Sequence, residues 1–369
     1  MNLEKLVRKT VVNITPYVPG KPIQEVKRDL GLEKVYKMAS NENPLGPSPR
    51  AVEAIKEVLG ELNRYPEASC YYLKNKLAQF WNLKPENFII GNGSDELIIL
   101  TLRAYLNPGD EVIVAKPTFL IYELASKIEG ANIKIIPMKN FRYDLPRMLD
   151  AVSSATKIIF IANPDNPCGT YVTRDEIEDF LNQLPSDVIV FIDEAYYEFV
   201  NHLPDFPDCL QYINKRPMIV TRTFSKIYGL AGLRIGYGMA HPEFIKYLNK
   251  VREPFNVNSL AQIAALNALD DQEYVKKVKE LTLTGRDYLS KKFEQLGLDY
   301  IKSVTNFILV KIGEKANELC EYLLTNGVIV RNMSGWGLNE YIRVTVGLEV
   351  ENRKMIKLLS DFLKKEVEP

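Results

Sequence analysis

The chain has 369 residues, 46% hydrophobic and 25% charged, an ordinary globular composition long enough for a large core and two lobes. Its 47 basic and 47 acidic side chains cancel, which implies no basic face of the size that binds nucleic acid, so no nucleic-acid partner is expected. Two histidines, His202 and His241, and four scattered cysteines, Cys70, Cys168, Cys209 and Cys320, leave almost no material for a Ser-His-Asp mechanism or a metal centre and no disulfide framework.

The first residues, Met1-Asn-Leu-Glu-Lys-Leu-Val-Arg-Lys9, lack the apolar core of a signal peptide. No apolar run approaches the roughly 20 residues that span a bilayer, so a cytoplasmic protein without membrane contact is expected. Residues 1–40 hold Pro16, Pro19, Gly20 and Pro22 and no long period, and read as an N-terminal arm and part of a small lobe. Short β-rich runs then recur at 88–91, 111–115, 133–137, 157–162, 188–193, 218–221 and 235–239, with helical segments between most of them. One helix is predicted from its cap, Ser94, to about Leu106, stopped by Asn107-Pro-Gly109; another begins near Thr173, with Glu176 placed for a capping box. Near-continuous apolar strands separated by helices predict an α/β fold with a mostly parallel sheet covered on both faces. This large domain is expected over 41–257.

After Pro254 the pattern changes to long helical segments at 260–269 and 272–296, then to strands at 307–310, 328–331 and 341–346. A smaller domain is therefore expected over 258–369. It closes with a helix near 351–365 whose Met355, Ile356, Leu358, Leu359 and Phe362 share the spacing of a face laid on a sheet.

The chemistry concentrates in Thr223-Phe-Ser-Lys226, in Arg234 beyond it, and in Asp193-Glu-Ala-Tyr196 at the end of an apolar run. A lysine that attacks an aldehyde needs a neutral amine, a fixed position and an electron sink beside it. Lys226 follows an apolar strand and precedes glycines that let backbone approach a ligand, and Arg234 is placed to neutralise a dianion. Asp193 ends Val188-Ile-Val-Phe-Ile192, at the edge of a parallel sheet where ligands of α/β folds gather, although a helix N-cap is an alternative role for it. Together these segments read as a pyridoxal phosphate site: Lys226 carrying the aldehyde, Asp193 against the pyridine nitrogen, Ser225 and Arg234 on the phosphate.

With these residues in place, the chain resembles the fold-type I pyridoxal phosphate aminotransferases, and among them the histidinol-phosphate aminotransferases, over nearly its whole length. The matching segments run in order and include Ile14-Thr-Pro-Tyr17-Val-Pro-Gly20, Ala39-Ser-Asn41-Glu-Asn-Pro-Leu-Gly-Pro-Ser48, Asn63-Arg-Tyr65-Pro66, Gly91-Asn-Gly-Ser94-Asp95-Glu96 and Pro117-Thr-Phe119. They continue through Asn163-Pro-Asp-Asn166-Pro-Cys-Gly169, Gly232-Leu-Arg234, Gly327-Val-Ile-Val-Arg331 and Tyr341-Ile-Arg343-Val-Thr-Val-Gly347. The resemblance implies a large domain built on a seven-stranded, mostly parallel sheet and a smaller α/β domain. It implies that the backbone of Ser94 and Asp95 receives the cofactor phosphate, that Phe119 stacks on the ring, and that Asn166 and Tyr196 hydrogen-bond the ring hydroxyl oxygen. A helix N-terminus suits such an anion on physical grounds as well. Asp165 stands where the family commonly has a second asparagine and Cys168 where it has threonine or serine, which marks Cys168 as an expected oxidation-sensitive spot.

Tyr65 resembles the tyrosine that reaches the phosphate of a neighbouring subunit, which implies a homodimer; a buried structural tyrosine is the other reading. Arg343 and Arg331 are implied to clamp the substrate anion, with Tyr17 and Asn41 in the same region, while a surface salt bridge is the plainer role for Arg331. The implied reaction is amino transfer between L-histidinol phosphate and 2-oxoglutarate, giving imidazole acetol phosphate and glutamate in histidine biosynthesis. An aromatic or broad-specificity aminotransferase, a threonine-phosphate decarboxylase and a non-catalytic cofactor-binding regulatory module are the alternatives.

Overall fold

The computed structural model of the chain describes residues 3–365. The seven apolar runs form the strands of one sheet, in the spatial order Phe88–Gly91, Gly236–Ala240, Met218–Thr223, Ile189–Asp193, Thr156–Ala162, Glu111–Lys116 and Asn132–Pro137. Gly236–Ala240 runs antiparallel to both its neighbours and every other pair is parallel, so the sheet is mostly parallel. A parallel strand has layers on both faces, and all five residues of Ile189–Asp193 are accordingly buried. Helices Ser94–Tyr105, Leu120–Glu129 and Arg174–Gln183 contribute their apolar residues to the same core. The capping box starts the last of these: Glu176 accepts from Thr173 N at 2.7 Å and its own N–H donates to Thr173 Oγ1 at 3.4 Å.

A second sheet of five strands has the order Tyr36–Met38, Val328–Asn332, Tyr341–Thr345, Phe307–Lys311 and Tyr300–Ile301. Tyr36–Met38 pairs parallel with Val328–Asn332, and the remaining pairs are antiparallel. Helices Ala316–Thr325 and Glu349–Lys365 cover it with Leu319, Leu323, Met355, Leu359 and Phe362, forming a separate apolar cluster. The N-terminal segment holds more regular structure than its prolines suggested. Helix Ile23–Leu30 begins directly after Pro22 and stops at Gly31, whose φ of 64° is left-handed.

Helix Ser259–Ala268 buries Ala261, Ala264, Ala265 and Ala268 in the larger cluster, and such small side chains let it lie close on helix Pro49–Val58. The helix that follows, Gln272–Gln295, places Val275 and Val278 in the larger core and Leu289 and Phe293 in the smaller one. One core hands over to the other within this helix rather than at residue 258. Among the described residues no helix is long and apolar enough to cross a membrane.

Register then decides what meets at the sheet edge. Asp193 lies beside Thr221 on the neighbouring parallel strand, and Lys226 follows three residues after that strand ends at Thr223. A carboxylate and an amine from distant parts of the sequence thus emerge at one carboxyl edge.

Candidate active site

At that edge a cavity of about 320 Å³ is lined by Tyr17, Ser40, Glu42, Ser94, Asp95, Phe119, Tyr122, Asn166, Asp193, Tyr196, Thr223, Ser225, Lys226 and Arg234, among others. Asp193 is one of the lining residues. One carboxylate oxygen accepts from Tyr122 Oη at 2.7 Å and the other from Ala195 N at 3.0 Å. Burial pushes the carboxyl up to about 6 against these hydrogen bonds, so it is ionised at neutral pH. Lys226 Nζ donates to the Ser40 carbonyl at 3.5 Å and sits 5.9 Å from the Tyr196 ring centroid. Burial first, and then the Arg343 charge, lower the amine to about 8. A neutral amine is therefore available just above physiological pH, as an attack on an aldehyde requires.

One end of the cavity is an anion cradle. Helix Ser94–Tyr105 starts here, and its cap is Gly93 rather than Ser94: no side chain caps the helix, which leaves the first-turn N–H groups open toward the cavity. Gly93, with φ of 80°, lies so close to the Arg234 guanidinium that a Cβ would collide with it. Arg234 Nη1 lies 3.5 Å from Ser225 Oγ and Nη2 lies 3.4 Å from Asp95 Oδ2, so a guanidinium, a hydroxyl and helix amides converge. Such a donor set fits a phosphate dianion, and Phe119, Tyr196 and Asp193 line the same cavity, where an aromatic ring would find a carboxylate and two aromatic neighbours. The residues present fit pyridoxal phosphate.

Behind the cavity wall, and not itself lining it, Arg343, 5% exposed, donates to Oδ1 of the wall residue Asn166 and to the Ala39 carbonyl at 2.8 Å, while its buried Nε has no partner. No carboxylate forms an ion pair with it among the described residues. Arg331 lies directly opposite on the neighbouring antiparallel strand, and like charges in register repel unless an anion joins them. Arg331 donates to the Val18 carbonyl at 2.7 Å and packs between the Tyr17 and Trp336 rings, at 5.4 and 5.1 Å. It lines an adjoining groove of about 850 Å³ rather than the cavity itself, and Tyr17 borders both.

Asn41, expected beside the two arginines, does not line the cavity either. Asn41 is 1% exposed: its Nδ2 donates to Tyr196 Oη at 2.8 Å, its N–H donates to Thr345 Oγ1, its Oδ1 accepts from Thr345 Oγ1 and its carbonyl accepts from Asn306, so it braces Tyr196. Tyr65 is 82% exposed and stacks on Phe255 at 4.8 Å, away from this cavity and not buried as a structural tyrosine would be. Cys168 departs from its expected reactivity as well. It is buried, and burial holds its thiol well above the usual range, where little thiolate forms.

Tyr122 and Glu42 are absent from the motif-based set. Tyr122 sits three residues after Phe119, and that spacing on helix Leu120–Glu129 was the available signal for it. Glu42, held by Lys37 at 2.8 Å, stands next to Asn41 in a matched segment.

The aminotransferase class I and II family profile matches residues 33–359. A histidinol-phosphate aminotransferase of Moorella thermoacetica is 48% identical over 358 residues, which cover 96% of this chain and 92% of that protein. One of Caldicellulosiruptor saccharolyticus is 47% identical, with 97% and 100% covered. The crystal structure of histidinol-phosphate aminotransferase from Sinorhizobium meliloti in complex with pyridoxal-5'-phosphate superposes with a TM-score of 0.87 at 28% identity, over 96% of this chain and 98% of that one.

The lowered basicity of Lys226 has a direct readout. Capture of a small aromatic aldehyde, fixed by borohydride and located by peptide mapping, is expected to rise at position 226 with a midpoint near pH 8. Surface lysines follow at about 10.4. A midpoint shared with the surface lysines contradicts the assignment.

Proposed function

The chain belongs to the aminotransferase class I and II family, among the histidinol-phosphate aminotransferases, and from that premise we propose that it transfers the amino group of L-histidinol phosphate to 2-oxoglutarate, giving imidazole acetol phosphate and glutamate. The observation that carries this reading is the Arg331–Arg343 pair, facing in register across neighbouring strands, with neither guanidinium ion-paired to a carboxylate among the described residues. One such pair suits both substrates, because a guanidinium binds a carboxylate or a phosphate ester with the same fork of N–H groups.

Pyridoxal 5'-phosphate supplies an aldehyde that links to amines and a ring that takes up negative charge from the substrate α-carbon. The residues divide the remaining work. Ser94 and Asp95 N–H, Ser225 Oγ and Arg234 hold the phosphate. Phe119 would flank the ring, and Asn166 and Tyr196 would bond its hydroxyl oxygen. Asp193, ionised above about pH 6, holds a proton on the ring nitrogen. Lys226 would hold the cofactor and, as a free amine, would serve as acid and base for the proton moved between the substrate α-carbon and the cofactor C4′. Desolvation keeps its basicity near the working pH, where a general base is most effective.

The functional unit in this reading is a homodimer in which Tyr65 completes the phosphate site of the neighbour. Its exposed ring, with Leu59, Leu62, Tyr71 and Tyr72 also exposed nearby in sequence, is apolar surface of the kind an interface covers. A cytoplasmic setting agrees with four unpaired cysteines, three of them buried.

Arg343→Gln is expected to lower kcat/KM for both amino donors on the order of 10–100-fold, the equivalent of losing a charge-assisted hydrogen bond of about 1.5–3 kcal/mol. Separate additions of histidinol phosphate, glutamate and phenylalanine should bleach the cofactor's visible band most efficiently with the phosphate ester. A preference for phenylalanine would make the protein an aromatic aminotransferase instead. Mixing Tyr65→Phe with Lys226→Ala protein, each poorly active, should restore activity on subunit exchange; no recovery would exclude the shared site.

A further inference from the structure

Asp165 is fully buried in the loop that carries Asn166. Thr118 Oγ1 donates to its Oδ2 at 2.6 Å and Cys168 N to its Oδ1 at 3.0 Å. Thr118 Oγ1 also lies 2.7 Å from Tyr143 Oη, which accepts from Ala162 N at 2.9 Å. Thr118 has one hydroxyl hydrogen and gives it to Asp165, so its oxygen accepts from Tyr143 Oη, which in turn accepts from Ala162 N. Donors therefore converge on both carboxyl oxygens, a setting that suits an anion.

Burial raises this carboxyl to about 6, which leaves it ionised at neutral pH. An asparagine of the same shape turns one of these acceptors into a donor: with its oxygen toward Thr118, its NH2 group meets the Cys168 N–H; turned over, it donates to Thr118 Oγ1 and the Thr118 and Tyr143 hydroxyl hydrogens must be redirected.

The two ends of the Asp165–Thr118 bond each precede a residue of the cavity wall: Asn166 follows Asp165 and Phe119 follows Thr118. The Thr118 carbonyl is held separately, by Trp336 Nε1 at 2.9 Å, so the side-chain bond sets the alignment of the two loops and not merely the place of Thr118. We propose that Asp165 is a positioning residue for the reaction: its buried carboxylate locks the Asn166 and Phe119 loops together, so that the ring-hydroxyl contact and the ring-flanking contact reach the cofactor as one rigid pair. This rests on the aminotransferase reading above.

The test uses purified apo-protein titrated with pyridoxal phosphate, followed by visible circular dichroism of the bound cofactor and by the thermal midpoint of the apo form. Asp165→Asn and Thr118→Val are expected to raise the cofactor dissociation constant about tenfold and to shrink the visible dichroism, while Thr118→Ser, which keeps the hydroxyl, stays near wild type. The effects of Asn166→Ala and Phe119→Leu on that constant should be non-additive in the wild-type background and additive with Asp165→Asn. An unchanged constant and dichroism in Asp165→Asn, or a Thr118→Ser protein as impaired as Thr118→Val, overturns the proposal, whatever happens to the midpoints. If Asp165→Asn does not fold, the two Thr118 variants decide. Wild-type protein that fails to bind pyridoxal phosphate would instead overturn the functional reading itself.

Discussion

A carboxylate and an amine share one small cavity, and each is moved toward neutrality by burial. Asp193 rises to about 6 and Lys226 falls to about 8, which leaves a narrow pH interval where the first is charged and the second is readily discharged. Neither shift survives exposure to solvent, so the site requires a wall on every side. The parallel sheet supplies two of them by bringing the ends of Ile189–Asp193 and Met218–Thr223 together. Tyr122 and the Ala195 N–H keep Asp193 from becoming an unsatisfied buried charge, whose cost would otherwise fall on the whole core.

The second sheet meets a different requirement. It carries two arginines opposite one another, a repulsive arrangement that serves stability poorly and anion binding well. Arg343 is moreover buried with neutral partners, and the charges of Arg331 and Arg343 oppose each other there. In the proposed reaction an anionic group on the substrate would relieve that repulsion. Substrate binding is in this sense coupled to the packing of the smaller lobe, whose strand Tyr36–Met38 leads straight into the segment that carries Ser40, Asn41 and Glu42.

Much of this was legible in the residues themselves. The seven strands stood out because strands buried on both faces are apolar without interruption, and the Asp193 and Lys226 segments end two such runs. The limits of the reading are physical as well. Ser94 looked like a cap because capping residues are recognised by type, yet Gly93 takes the cap position with a positive φ and frees the helix amides. Asn41 bonds to Tyr196, 155 residues away, and a contact of that span leaves no local trace. Arg331 and Arg343 were both visible, but their register depends on how two strands pair, and so does the side of Arg331 that faces the adjoining groove. The handover between cores inside Gln272–Gln295 was hidden because one amphipathic helix can serve two lobes without any break in its period.

The protonation state of the ring nitrogen is the most direct measure of the role given to Asp193. Nitrogen NMR of pyridoxal phosphate labelled at that nitrogen, bound to the wild-type protein and to Asp193→Asn near pH 7.5, should give the chemical shift of a protonated pyridinium in the first and of a free pyridine in the second. A free pyridine nitrogen in the wild-type protein would contradict the account.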